Sequence, residues 1–155
     1  MLAEATGCRN AQIGVRRAAG ALPSRPRPFP RFAAMKFHAS APTGNVVTGH
    51  GPGWLRVGAT LYRENLVLTP DAVAVGWAPG GFDGLGESDF ARLAEGGPDV
   101  VLLGTGQAIR FPHPRFTRAL ALARIGLEVM DTAAACRTFN ILAAEGRRVT
   151  AALIV

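Results

Sequence analysis

The chain lacks most of the residue patterns that announce a chemistry. Lys36 is its only lysine, which argues against a Schiff-base lysine deep in the fold. Two cysteines, Cys8 and Cys136, stand far apart with no C-x-x-C pair. No disulfide framework can be built inside the domain, and a reduced intracellular protein is the expectation. No apolar run approaches the roughly 18 residues needed to cross a bilayer, so no membrane span is expected. His38, His50 and His113 are too scattered to suggest a metal site.

The first 34 positions are nearly without acidic residues: six arginines (Arg9, Arg16, Arg17, Arg25, Arg27, Arg31) face Glu4 alone, a charge of +5. Four prolines within Pro23–Pro30 forbid a helix or a central strand there, so this leader is expected to be disordered. It has no apolar core of the kind a secretory signal needs. Two readings stay open: an organelle transit peptide, or sequence lying ahead of a true start at Met35. The second fits better, because regular patterning begins at Met35. A chain starting there implies a cytoplasmic protein; a cleaved leader implies the mitochondrial matrix.

Residues 35–155 carry eleven basic side chains against ten acidic ones, a charge of +1. The overall charge of +6 therefore sits almost wholly in the leader, and the folded part is not expected to bind nucleic acid. The size suits one domain. Composition, 48% hydrophobic and 18% charged, is that of a globular protein.

The first half of this domain reads as antiparallel β. Met35–His38 is extended, and Val46–His50 and Trp54–Val57 flank Gly51-Pro52-Gly53 as a hairpin. Leu61–Leu68 and Val73–Trp77 read as further strands. The second half alternates. Ser88 is expected to cap a helix over Asp89–Glu95, and Val100–Leu103 is an apolar run of the kind buried in a parallel sheet. A helix over Phe116–Arg124, ended by Gly126, precedes a strand over Leu127–Met130. Thr132 is then expected to cap a helix reaching Glu145, with Ala135, Cys136, Phe139, Leu142 and Ala143 turned inward. Gly146 closes it, and Val149–Val155 is the last strand. Strand–helix–strand–helix–strand implies an α/β domain with helices on the sheet faces.

The best site candidate is the turn Gly104-Thr105-Gly106 beside Asp131-Thr132. If their strands are neighbours, both lie at the carboxyl edge of the sheet, where open α/β sheets bind ligands. Backbone N–H groups of such a turn can hold an anion, and the following loop offers Arg110 and His113. Ile109 stands where a dinucleotide fingerprint needs glycine, and Phe111-Pro112-His113-Pro114 forbids the helix it requires, so a Rossmann site is rejected. A P-loop is rejected too. The plainer readings are a tight turn with positive φ and an Asp131 that only caps its helix.

Other constellations read as structural. Cys136, His113 and Asp131 contain the ingredients of a thiol nucleophile, yet Cys136 falls on the apolar stripe of its helix. Gly86-Glu87-Ser88-Asp89-Phe90 opens like a nucleophile elbow, but Phe90 replaces the needed glycine. Arg147-Arg148 suits a helix end with acidic neighbours. Trp54, Trp77, Phe82 and Phe90 are expected as core or loop anchors, or as a docking patch.

The stretch Gly126-Leu127-Glu128-Val129-Met130-Asp131-Thr132 through Leu142, then Glu145-Gly146-Arg147-Arg148-Val149, resembles the domain-of-unknown-function 498 family. Val101–Gly106 and the opening Met35-Lys36-Phe37 resemble it as well. That family takes in a mitochondrial complex I assembly factor, an adipogenesis-associated protein, and many bacterial and archaeal proteins. The resemblance implies a single α/β domain over 35–155, with a mixed central sheet, helices on its faces and an accessory antiparallel β layer. It implies a non-enzymatic protein-interaction or assembly role, a link to respiratory complex biogenesis, a protein partner, and no cofactor or catalytic residues to carry over. Phe139 stands where the family pattern suggests tyrosine. The alternative from the residues is a small-molecule or anion binder, or an enzyme, using the Gly104–Gly106 edge.

Overall fold

The computed structural model describes residues 44–155. The leader, the Met35–His38 segment, the start of the domain, Cys8, Lys36 and His38 lie outside the described residues. Two sheets form. The smaller is an antiparallel meander of β1 (Val47–Gly51), β2 (Trp54–Val57) and β3 (Thr60–Tyr62). The larger is mixed, in the order β5 (Val73–Val75), β4 (Leu66–Leu68), β8 (Val149–Ile154), β6 (Val100–Thr105), β7 (Gly126–Met130). β6, β7 and β8 are parallel, while β4 runs antiparallel to β8 and to β5.

β6 and β8 are buried at every residue, as central strands covered on both faces must be. Their alternation divides the core in two. Leu102, Val149, Ala151 and Leu153 face one layer with Leu55, Val57, Leu66, Leu68, Ala135, Cys136 and Phe139. Val101, Leu103, Ala152 and Ile154 face the other, with Trp77, Leu85, Phe90, Leu93 and Leu120. The long helix α3 (Thr132–Ala144) and the small sheet therefore cover one face. The short helices α1 (Glu87–Leu93) and α2 (Arg118–Leu122) cover the other. Phe90 and Phe139 are fully buried, and burying each side chain stabilises the fold by about 1.5–3 kcal/mol. Trp77 is a core anchor, whereas Trp54 and Phe82 are half-buried.

The mixed sheet, the faces covered by helices and the accessory antiparallel layer are as expected; several boundaries differ. Leu61–Leu68 is not one strand. β3 and β4 belong to different sheets, separated by Arg63-Glu64-Asn65. Asn65 fixes the break: its amide donates to the Ala78 carbonyl at 2.8 Å, and its side-chain oxygen accepts from the Val155 N–H at 3.1 Å. Ser88 does not cap α1. The helix starts two residues earlier, after Gly86, whose N–H donates to the Asp89 carboxylate at 2.9 Å. α2 is shorter than Phe116–Arg124, because Pro114 and the turn at Thr117 delay it. It ends before Gly126, where Arg124 takes a left-handed φ of 57°. Thr132 is the first residue of α3 rather than its cap; Asp131 holds that position.

Candidate functional site

Because β6 and β7 are parallel neighbours, Gly104 pairs with Met130 and the two chain segments leave the sheet side by side. Gly104 and Thr105 end β6, Gly106 turns with a φ of 91°, and Asp131-Thr132 open α3. These five residues meet at the carboxyl edge of the sheet. Gly104 is needed for a reason other than turning. A Cβ there would lie 2.9 Å from Leu153 Cδ2 and 3.1 Å from both Thr132 Cα and Oγ1. Its missing side chain lets the start of α3 descend onto β6.

The polar groups at this edge are bonded to one another. The Thr132 hydroxyl accepts from the Gly106 N–H at 2.9 Å and donates to the Ile154 carbonyl at 2.5 Å. The Thr132 N–H donates to the Gly106 carbonyl at 2.8 Å. Thr105 Oγ1 accepts from the Arg110 N–H at 3.1 Å and lies 2.8 Å from the Ala108 carbonyl and 3.1 Å from that of Met130, either of which can take its proton. The Asp131 carboxylate accepts from the Ala134 N–H at 2.7 Å. The Gly106 amide that would greet an anion already has a partner, and the Asp131 charge stands beside it.

A cleft of about 380 Å³ opens at this edge. Gly106, Gln107, Asp131 and Thr132 form one side, and His50 and Pro52 of the β1–β2 hairpin form the other. The hairpin residues escape a reading of the sequence, because only the packing of one sheet on the other carries them there, whereas Gln107 simply follows the predicted turn. Arg110 and His113 are not part of the cleft lining. The Arg110 guanidinium pairs with Asp83 and lies 4.2 Å from the centre of the Phe82 ring. The His113 ring sits 6.0 Å from that of Phe116, and its Nδ1 accepts from the Arg115 N–H at 3.2 Å.

Cys136 is 2% exposed in the α3 core, and burial pushes its thiol up to about 12. His113 is exposed on its loop, so the two do not form a thiol–imidazole pair. Ser88 is exposed in the first turn of α1, with no elbow around it. Arg148 pairs with Asp99 at 2.7 Å and holds that carboxyl below the usual range. Among the described residues, no three His, Cys, Asp or Glu side chains gather as a metal-binding group. Nor is any of their helices long and apolar enough to cross a membrane.

Fold and edge together define a small mixed α/β domain with a three-stranded accessory sheet and an internally bonded carboxyl edge. Residues 47–154 match the family described as "Protein of unknown function (DUF498/DUF598)", and the chain belongs to that family. An uncharacterised protein of Rhodobacter capsulatus is 35% identical over 108 residues, covering 70% of this chain and 82% of that one. The mouse protein named NADH dehydrogenase [ubiquinone] 1 alpha subcomplex assembly factor 3 is 39% identical over 90 residues, covering 57% of this chain. The match spans about half the length of that relative, 48%. A crystal structure of a Bordetella parapertussis protein superposes with a TM-score of 0.68 at 35% identity, covering 74% of this chain and 98% of that one.

Proposed function

We propose that the chain is a non-enzymatic assembly factor that works by holding a protein partner, in the biogenesis of a respiratory complex. One observation carries this reading beyond the relatives' name. At the edge where an α/β sheet would place reacting groups, the Thr132 hydroxyl and the Gly106 amide hold the turn to α3, the Thr105 hydroxyl is taken up by the Ala108 and Met130 carbonyls, and one Asp131 oxygen caps α3. A nucleophile or acid needs a free proton or lone pair aimed at substrate. The buried Cys136 thiol offers neither. The relatives named as assembly factors of NADH dehydrogenase supply the partner class. The functional unit in this reading is residues 35–155, acting in the cytoplasm if the chain starts at Met35 and in the mitochondrial matrix if a leader is removed. Affinity purification of the full chain from its native cell tests it. A reproducible partner is expected; its absence, together with turnover of a metabolite by the purified protein, would end the proposal.

The cleft supports a second reading, a small-molecule or anion binder, since about 380 Å³ falls within the usual range for ligand pockets. Thermal shift against nucleotides and organic acids tests it. A ligand that raises Tm for the wild type but not for Ala133→Trp, which fills the cleft, would favour this reading; no shift across the panel would remove it.

A further inference from the structure

Between Asp99 and Glu128 the chain has no acidic residue but four arginines, Arg110, Arg115, Arg118 and Arg124. This stretch runs from β6 through the loop of residues 106–117 and α2 into β7. Asp83 matches Arg110, but among the described residues Arg115, Arg118 and Arg124 have no ion-pair partner. A domain whose charges nearly cancel thus keeps three exposed, unpaired arginines along this stretch.

Apolar groups belong to the same stretch. Phe111 is 76% exposed and Leu122 is 74% exposed. On α2, Arg118 and Leu122 stand four residues apart and so share one face, while Leu120 is buried in the core. The Arg115 guanidinium lies 4.7 Å from the centre of the Phe116 ring. Stacking occupies the face of that group and leaves its N–H edge for a planar acceptor such as a carboxylate. Exposed arginine and aromatic side chains are enriched in protein–protein contact regions.

We propose that this surface docks an acidic protein segment bearing an aromatic or aliphatic side chain. Its carboxylates meet Arg115 and Arg118, and its apolar group covers Leu122 or Phe111. The proposal rests on the assembly-factor reading and gives it a place on the molecule. A bilayer fits less well, because α2 has only five residues and commits Leu120 to the core, leaving no long apolar face to lie in a membrane. A nucleic acid fits less well, because Leu122 offers no stacking plane and Phe111 is the one largely exposed phenyl ring of this stretch.

The test uses the full chain, labelled with ¹⁵N, and four probes: a random glutamate–tyrosine copolymer, polyglutamate, phosphatidylglycerol vesicles and polyuridylate. The copolymer is expected to shift amide resonances of residues 109–124, to bind more tightly than polyglutamate, and to weaken as salt rises. Arg115→Glu with Arg118→Glu is expected to weaken it about tenfold at unchanged Tm. Phe111→Ser with Leu122→Ser is expected to abolish the preference for the tyrosine-bearing polymer. Shifts elsewhere, equal binding by the variants, or tighter binding to vesicles or polyuridylate would overturn the proposal. Purification from the native cell separates the two levels. The same partner held by wild type and charge-reversed chain overturns this surface and leaves the assembly-factor reading intact; no partner with either removes both.

Discussion

The Thr132 hydroxyl accepts the Gly106 N–H at 2.9 Å, so the first residue of α3 binds the turn that leaves β6. The same hydroxyl donates to Ile154 at 2.5 Å, tying in the end of β8. One side chain thus fastens three elements at the carboxyl edge. Thr132→Val would leave an N–H and a carbonyl without partners in a largely buried place, each costing about 1–3 kcal/mol. Urea unfolding should show a loss in that range or above it for Thr132→Val. Thr132→Ser, which keeps the oxygen, should lose far less. Equal losses for the two variants would assign the effect to packing.

Gly104→Ala tests the close approach of α3. The added Cβ would meet Leu153 Cδ2 at 2.9 Å and the Thr132 backbone at 3.1 Å. Overpacking of this kind costs about 1–3 kcal/mol, and the Tm of the variant should fall accordingly. Gly84, where a Cβ meets nothing within 4 Å and φ is not positive, provides a control for an added methyl group.

Asn140 on α3 clamps Val47 on β1 from both sides, accepting from its N–H at 2.8 Å and donating to its carbonyl at 2.8 Å. This joins the small sheet to the main domain across 93 residues of sequence. Asn140→Leu should increase hydrogen exchange at Val47 and its neighbours well before it affects β6 or β8. Uniform loss of protection would show that the two sheets open together.

Cys136 gives a pH dependence with a definite sign. Burial raises its folded value to about 12 from an ordinary 9.0. Above pH 9 the unfolded chain gives up this proton while the folded one keeps it. The thiol's contribution is therefore fully present below pH 9 and is lost as pH rises from 9 toward about 12, with a limiting slope of about 1.4 kcal/mol per pH unit. In a Cys8→Ser chain, a thiol reagent at pH 8 should label Cys136 only as the protein unfolds. Further replacement by Cys136→Ala should flatten the alkaline loss of stability.

The parallel core was legible because β6 and β8 are apolar at nearly every position, and α3 because its buried residues recur at helical spacing. The adjacency of Gly104–Gly106 and Asp131-Thr132 followed from strand order. What stayed hidden depends on long-range partners. Nothing local distinguishes Leu61–Leu68 from one strand, since Asn65 breaks it by bonding to Ala78 and Val155. Arg110 looked available to the edge because Asp83, which draws it away, lies 27 residues earlier. His50 and Pro52 reach the cleft only through packing of the second sheet.

The proposed role of this domain is assembly rather than turnover. Native gel electrophoresis of respiratory complexes from cells lacking the protein tests it most directly. The account predicts partial NADH dehydrogenase complexes, restored by the wild-type chain. Fully assembled complex at normal abundance in the deletion strain would contradict it.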